Sequence, residues 1–143
     1  PNITEACLLT GTPYKTSYDE SYIHELLKKL LALGCYTAAL TGVSYEKGRL
    51  GVVSLDRNGD TFSYFTRHCP QSYHGTGDLY SSTVLGGLMR GLSLGNALSL
   101  AADFVVACIE ATASAENARW YAVEFESQIP LLCEMLDQRL KNN

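Results

Sequence analysis

Five consecutive residues, His74-Gly75-Thr76-Gly77-Asp78, set two glycines, a hydroxyl and a carboxylate just ahead of an apolar run from Val84 to Leu92. Glycine accepts backbone angles that a Cβ penalises, so this composition suits a tight turn opening a helix. Such a turn can aim successive N–H groups at one point, where the helix dipole adds positive potential and a phosphate can be held. Asp78 is the odd member, because a carboxylate repels a phosphate. It makes sense there if a proton must be removed where a phosphoryl group arrives. Cradle plus base is apparatus for phosphorylating an alcohol. The same residues also fit a plain turn with an acidic first-turn residue that complements the dipole.

A second pair lies at the start of the chain. Asn2 and Glu5 are three apart and share a face of a helical turn. The plain reading is that Asn2 caps the turn and Glu5 completes a capping arrangement. Thr41-Gly42 ends a strand-like run, and the C-terminal ends of strands are where open α/β sheets bind ligands. His68, Cys69 and His74 match no zinc spacing; His74 is expected to order the glycine turn. His24 falls on a helix and reads as a surface or boundary residue rather than a ligand.

These groups need positioning elements. Residues 1–11 read as a short helix closed by Gly11 at its C′ position, and Pro1-Asn2 directly ahead of it implies a strand ending just upstream. Ser17-x-x-Glu20 is a capping box for a helix to about Leu33, stopped by Gly34. Tyr22, Ile23, Leu26, Leu27, Leu30 and Leu31 form its apolar stripe, with Lys28 and Lys29 outside it. Cys35 to Gly42 reads as a strand buried on both faces, and helix followed by buried strand implies a crossover α/β architecture. Arg49–Asp56 and Thr61–Arg67, separated by Arg57-Asn58-Gly59-Asp60, predict a hairpin. After the glycine helix, Gly91-Leu92-Ser93 breaks the chain and Ser93 caps a helix to about Ala113. The small residues of that helix let it pack closely on the glycine helix. Ala111 to Arg119 reads as a polar connection and Trp120 to Phe125 as an aromatic extended segment. A last helix, about Ser127 to Lys141, carries Ile129, Leu132, Leu136 and Leu140 inward. The pattern reads as one continuous architecture without a linker.

Composition bounds the function. A chain of 143 residues with 46% hydrophobic and 18% charged residues can bury a real core. The formal charge of −4, with no basic cluster beyond Lys28-Lys29, argues against a nucleic-acid surface. No stretch is expected to approach the ~20 apolar residues of a membrane span, and no signal peptide is expected at the start of the chain. The five cysteines are dispersed without a Cys-x-x-Cys pair and read as reduced, buried thiols in a cytoplasmic protein. The chain begins at Pro1 without a methionine, so either something was removed or a longer polypeptide contains it.

Pro1-Asn2-Ile3-Thr4-Glu5-Ala6, Leu8-Leu9 and Gly11, followed after the hairpin by Gly75-Thr76-Gly77-Asp78-Leu79, closely resemble the C-terminal half of the ribokinase-like (PfkB) superfamily. Within it, the chain resembles the pyridoxal/pyridoxamine (vitamin B6) kinases. The resemblance covers essentially the whole chain, including Tyr121 to Phe125. It implies an α/β fold, the three-layer α/β/α ribokinase-like architecture, of which residues 1–143 are the C-terminal ATP-binding and catalytic part. It implies ATP and Mg²⁺ as cofactors and phosphorylation of the 5′-hydroxymethyl group of pyridoxal, pyridoxine or pyridoxamine. Asp78 is then the catalytic base and Gly75-Thr76-Gly77 the anion hole. Asn2 and Glu5 position Mg²⁺ and its waters, and Thr41 and Gly42 contact the ATP phosphates. The helix around Ala97 to Ala107 resembles the wall of the adenine pocket. Sugar kinases of the superfamily usually carry alanine where Thr76 stands, and hydroxymethylpyrimidine kinases usually carry cysteine where Asp78 stands. Thr76 favours the vitamin-kinase branch, and Asp78 within it favours the pyridoxal type. A hydroxymethylpyrimidine or sugar kinase, or a non-catalytic nucleotide- or partner-binding piece, are the alternatives. Full-length members are longer, act as homodimers on a small-molecule substrate, and draw the pyridine pocket and lid from an N-terminal half. The resemblance therefore implies that residues 1–143 alone are inactive.

Overall fold

The computed structural model describes residues 1–115 and 121–142, in two compact units, Pro1–Phe65 and Thr66–Asn143.

The first unit opens with helix α1, Ile3–Thr10, which ends at Gly11 in the left-handed region with φ 63°. Helix α2 spans Glu20–Ala32, and Gly34 follows it at φ 118°. The expected start at Ser17 is corrected: Asp19 is the cap, its carboxylate accepting the Tyr22 N–H at 2.9 Å. Tyr18, between the two, is drawn away instead. Its ring stacks on Tyr22 and its hydroxyl accepts the Ser44 N–H at 3.1 Å.

Strands β1, Thr37–Val43, β2, Arg49–Asp56, and β3, Thr61–Arg67, form a sheet in the order β1-β2-β3. The hairpin lies where Asn58-Gly59 placed it. Asp56 Oδ1 accepts the N–H groups of Asn58 and Asp60 at 2.8 and 3.0 Å, and Gly59 takes φ 92°. Gly51 is the tightest point of the sheet, since a Cβ there would lie 2.2 Å from the Tyr64 carbonyl oxygen.

Two expectations for β1 change. Cys35 is exposed and outside the strand, and β1 alternates, with Ala38, Leu40 and Val43 buried and the residues between them half-buried or exposed. The cause is topology. β1 pairs antiparallel with β2, and antiparallel sheets commonly bury one face only. That face meets Ile23, Leu26, Leu27 and Leu30 of α2 and Ile3, Ala6 and Cys7 of α1. Each fully buried Leu or Ile contributes about 1.5–3 kcal/mol. The crossover survives at one point. Asn2 bridges Thr41 in parallel, the Thr41 N–H donating to the Pro1 carbonyl at 2.9 Å, with α1 and α2 between the two partners.

In the second unit, α3 spans Thr76–Met89 and α4 spans Leu94–Ser114; Ser93 caps α4. They approach closely at Gly87, where a Cβ would lie 3.2 Å from Leu92 Cδ1 and 3.3 Å from Ala97 Cβ. The small residues do bring these backbones together. By length and composition α4 is apolar enough to cross a membrane, contrary to expectation. It serves as a core helix: Leu98, Leu100, Ala101, Phe104, Cys108 and Thr112 are buried along it, and its acidic Asp103 and Glu110 pair with Arg139 and Arg67.

The polar connection is shorter than expected, because α4 runs on through Ser114. Residues 116–119 and Trp120, the first residue of the expected aromatic segment, lie outside the described residues. A 3-10 turn, Glu126–Gln128, leads into α5, Ile129–Lys141, with proline in its first turn. Leu132, Leu136 and Leu140 pack inward with Met135, whereas Ile129 stays 40% exposed. The cysteines also divide. Cys7 and Cys108 are buried, Cys69 is half-buried, and Cys35 and Cys133 are exposed, all as free thiols.

Candidate functional site

The glycine turn is built as the residue types require, with one difference. Gly75 is the N-cap of α3 at φ 87°, ψ −7° and has no side chain to cap the helix. Gly77 does not share that conformation; it lies within the first turn of the helix. Only Gly75 needs to be glycine for its backbone angle. The first hydrogen bond of the helix runs from Leu79 N–H to the Gly75 carbonyl at 2.9 Å. The N–H groups of Thr76, Gly77 and Asp78 therefore precede any helical acceptor. A Cβ at Gly75 or Gly77 would meet no atom within 4 Å. Side-chain space beside Gly75 and Gly77 is open.

Asp78 sits in the first turn, exposed, with no hydrogen bond or ion pair to a described residue. Thr76 is half-buried, and its hydroxyl donates to the Tyr73 carbonyl at 3.3 Å, tying the turn to the incoming chain. His74 does order the turn, but through its main chain. Its N–H donates to the Tyr121 carbonyl at 3.2 Å and its carbonyl accepts the Val123 N–H at 3.4 Å. That pairing with Ala122 is parallel.

The extended segment is held in turn by Thr112, whose hydroxyl accepts the Glu124 N–H at 3.0 Å and donates to the Cys108 carbonyl at 2.6 Å. Sequence reading missed Thr112, because a threonine inside a helix carries no local sign of a distant partner. Behind the turn, Tyr80 donates to the Leu98 carbonyl at 3.1 Å, and burial pushes its phenol well above the usual range.

The first unit gathers Asn2, Glu5, Thr41 and Gly42. Asn2 Oδ1 accepts the Glu5 N–H and Glu5 Oε2 accepts the Asn2 N–H, both at 2.9 Å, so the capping box is present. Gly42 is the extra residue of a bulge between Thr41 and Val43, at φ 74°, and its Cβ position lies 3.9 Å from Asn2 Cβ. The parallel bridge between Asn2 and Thr41 makes these neighbours. Asn2 and Glu5 are exposed. Each box bond uses one oxygen, so the second carboxylate oxygen of Glu5 remains for a hard cation such as Mg²⁺, which takes one or two carboxylates and keeps several waters. The residues fit that ion. Among the described residues no group of three or more His, Cys, Asp or Glu is arranged to hold a metal.

In α4, Ala97, Leu98, Leu100, Ala101, Ala102 and Phe104 are buried, leaving Asp103 and Val105 to Ala107 half-buried.

Helices on one face of a strand sheet, a parallel crossover and a glycine-opened helix define a ribokinase-like α/β kinase fold. The sequence profile of the phosphomethylpyrimidine kinase family matches residues 1–121, and the chain belongs to that family. None of the curated proteins matches it. Among solved structures, a provisionally named phosphomethylpyrimidine kinase from Bacteroides thetaiotaomicron VPI-5482, crystallised with pyridoxal, is similar at 28% identity and TM-score 0.80, covering 94% of this chain and 47% of its own. The pyridoxal kinase from Lactobacillus plantarum is similar at 30% identity and TM-score 0.78, covering 96% of this chain and 48% of its own. The pyridoxal kinase from Staphylococcus aureus, crystallised with AMP-PCP and pyridoxal, shares the fold at 20% identity and TM-score 0.71, over 88% of this chain and 45% of its own. The chain thus spans about half the length of these structures.

Proposed function

We propose that these residues are the C-terminal, ATP-binding and catalytic part of a cytoplasmic kinase that phosphorylates the 5′-hydroxymethyl group of pyridoxal, pyridoxine or pyridoxamine. The observation that carries the reading is one turn of α3. Three N–H groups precede the first helical acceptor, the Cβ positions of Gly75 and Gly77 are unobstructed, and an exposed carboxylate shares that turn. In this reading Asp78 accepts the proton of the substrate hydroxyl as its oxygen attacks the γ-phosphorus of ATP, and ADP departs. The N–H groups of Thr76, Gly77 and Asp78 hold the charge that spreads over the phosphoryl oxygens. Gly77 keeps their approach open. Thr41 and Gly42 contact the nucleotide phosphates, the bulge exposing main chain at that point. Asn2 and Glu5 would hold Mg²⁺, directly or through its waters, and the ion neutralises phosphate charge when bound.

Pyridoxal as substrate is supported by the likeness to a pyridoxal kinase at 30% identity and by the pyridoxal bound to the Bacteroides protein. A hydroxymethylpyrimidine substrate is the second reading, favoured by the family profile. Substrate-dependent ATP consumption across both alcohols separates them. Residues 1–143 by themselves are expected to be inactive, since the relatives are about twice as long. Turnover of the purified chain at a kinase-like rate, on the order of 1–100 per second, would overturn that. In the full-length kinase, Asp78→Asn keeps the shape and removes the proton acceptor. The chemical step should fall roughly 10²–10⁴-fold with ATP affinity little changed. Near-normal turnover would remove Asp78 from the mechanism.

A further inference from the structure

A groove of about 610 Å³ lies in the first unit where β2 runs into the hairpin turn beside α2. Its apolar wall is Leu31 and Leu55, and its polar lining is His24, Lys28, Asp56 and Arg57. His24 and Lys28 are four apart on α2, so they project from one face of the helix. Neither makes a hydrogen bond or ion pair with a described residue; on the next stripe of the helix, Lys29 is already paired with Glu25. Arg57 is held in place by neutral groups, its guanidinium donating to the Gly34 and Cys35 carbonyls at 2.8 and 3.0 Å. Its charge is therefore anchored and not cancelled. Asp56 is the one carboxylate of the lining, and its Oδ1 is turned to the N–H groups of Asn58 and Asp60. A chain of net charge −4 thus carries a small positive groove with an apolar wall.

We propose that this groove binds a small organic anion, a carboxylate or phosphate carried on an apolar body, with Lys28 and His24 on the charged end and Leu31 and Leu55 against the body. The charged end requires both an anion and donors already fixed or free to close on it; Arg57 is the first kind and Lys28 the second. The site is separate from the Thr41–Gly42 bulge. Thr37 pairs with Asp56 and Thr41 with Val52, so the two lie about 13 Å apart along the strand at ~3.3 Å per residue. The proposal is independent of the catalytic reading.

The chain has three histidines, His24, His68 and His74, and their imidazole proton resonances provide one reporter in the groove and two outside it. Titration with benzoate and with phenyl phosphate should shift the His24 signal saturably and leave His68 unmoved. Benzoate, which lacks a phosphoryl group, should leave His74 beside the glycine turn unmoved too. Benzyl alcohol, of the same body without charge, should give no saturable shift. Lys28 is exposed and unbonded, so Lys28→Met should keep the thermal midpoint and weaken the anion roughly tenfold. Should that variant fold poorly, His24→Gln followed by isothermal calorimetry tests the same site. A preference for one anion over the other identifies the charged end. No saturable His24 shift at millimolar anion, equal shifts at all three histidines, or unchanged affinity in Lys28→Met would overturn the proposal.

Discussion

Gly75 and Gly77 look equivalent in the sequence and differ in what they do. Gly75 holds φ 87°, a left-handed angle that costs an L-residue about 1–2 kcal/mol. Gly75→Ala should therefore lower stability by that amount. Gly77 has a helical backbone, and helix interiors favour alanine over glycine by about 0.8–1.0 kcal/mol. Gly77→Ala should keep or raise the thermal midpoint. Its methyl would still occupy space at the turn where a Cβ now meets nothing within 4 Å, and in the proposed reading should raise the KM for ATP in the active kinase. Equal losses of stability at both positions would mean that both glycines serve the turn alone. An unchanged KM in Gly77→Ala would remove the anion cradle.

At the scale of elements, the same comparison can be made between adjacent residues of α3. Gly86 faces open space, and its substitution by alanine should stabilise the helix by roughly 0.5–1 kcal/mol. At Gly87 a Cβ would press on Leu92 and Ala97 at 3.2 and 3.3 Å. Overpacking costs typically 1–3 kcal/mol, which outweighs the propensity gain. Urea midpoints should thus move in opposite directions for Gly86→Ala and Gly87→Ala. A parallel shift would mean that α4 yields without cost. The elements themselves were legible: the hairpin, the glycine-opened helix, Ser93 as a cap and Gly11 as a stop all rest on turn and capping chemistry within a few residues. The exceptions needed distant partners. Ser17 lost the cap of α2 to Asp19, next to a Tyr18 engaged by Ser44, and Ile129 stayed exposed while its helix neighbours packed.

At the scale of the whole molecule, alkaline pH reads out the phenols. The Tyr22 phenol is pushed up to about 12, first by burial and then by its hydrogen bond with Cys7. Tyr45 is likewise pushed up to about 12, first by burial and then by the charge of Glu20. An unfolded tyrosine titrates near 10. Between roughly pH 10 and 12 the unfolded chain therefore releases protons that the folded chain retains, and stability falls as pH rises through that window. Below pH 10 this contribution is fully present. The urea midpoint should drop between about pH 10 and about pH 12, and Tyr22→Phe should flatten the drop while costing about 1 kcal/mol from the lost donation to Pro13. A wild-type midpoint independent of pH over this range would contradict the shifts.

Residue types and short spacings by themselves determined the glycine turn, the first-turn aspartate, the Asn2–Glu5 pair and the succession of helices and strands, because angles, caps and hydrophobic periods act within a few residues. Tertiary structure alone decided the rest. It made β1 a half-buried antiparallel strand, since one helix-covered face sufficed. It brought Asn2 beside the Thr41–Gly42 bulge through a parallel bridge about forty residues long in sequence. It turned a stretch apolar enough for a membrane into a core helix by packing Val84 of α3 and Leu132, Leu136 and Leu140 of α5 against its buried face. Each of these rests on contacts between distant residues, which local pattern does not encode.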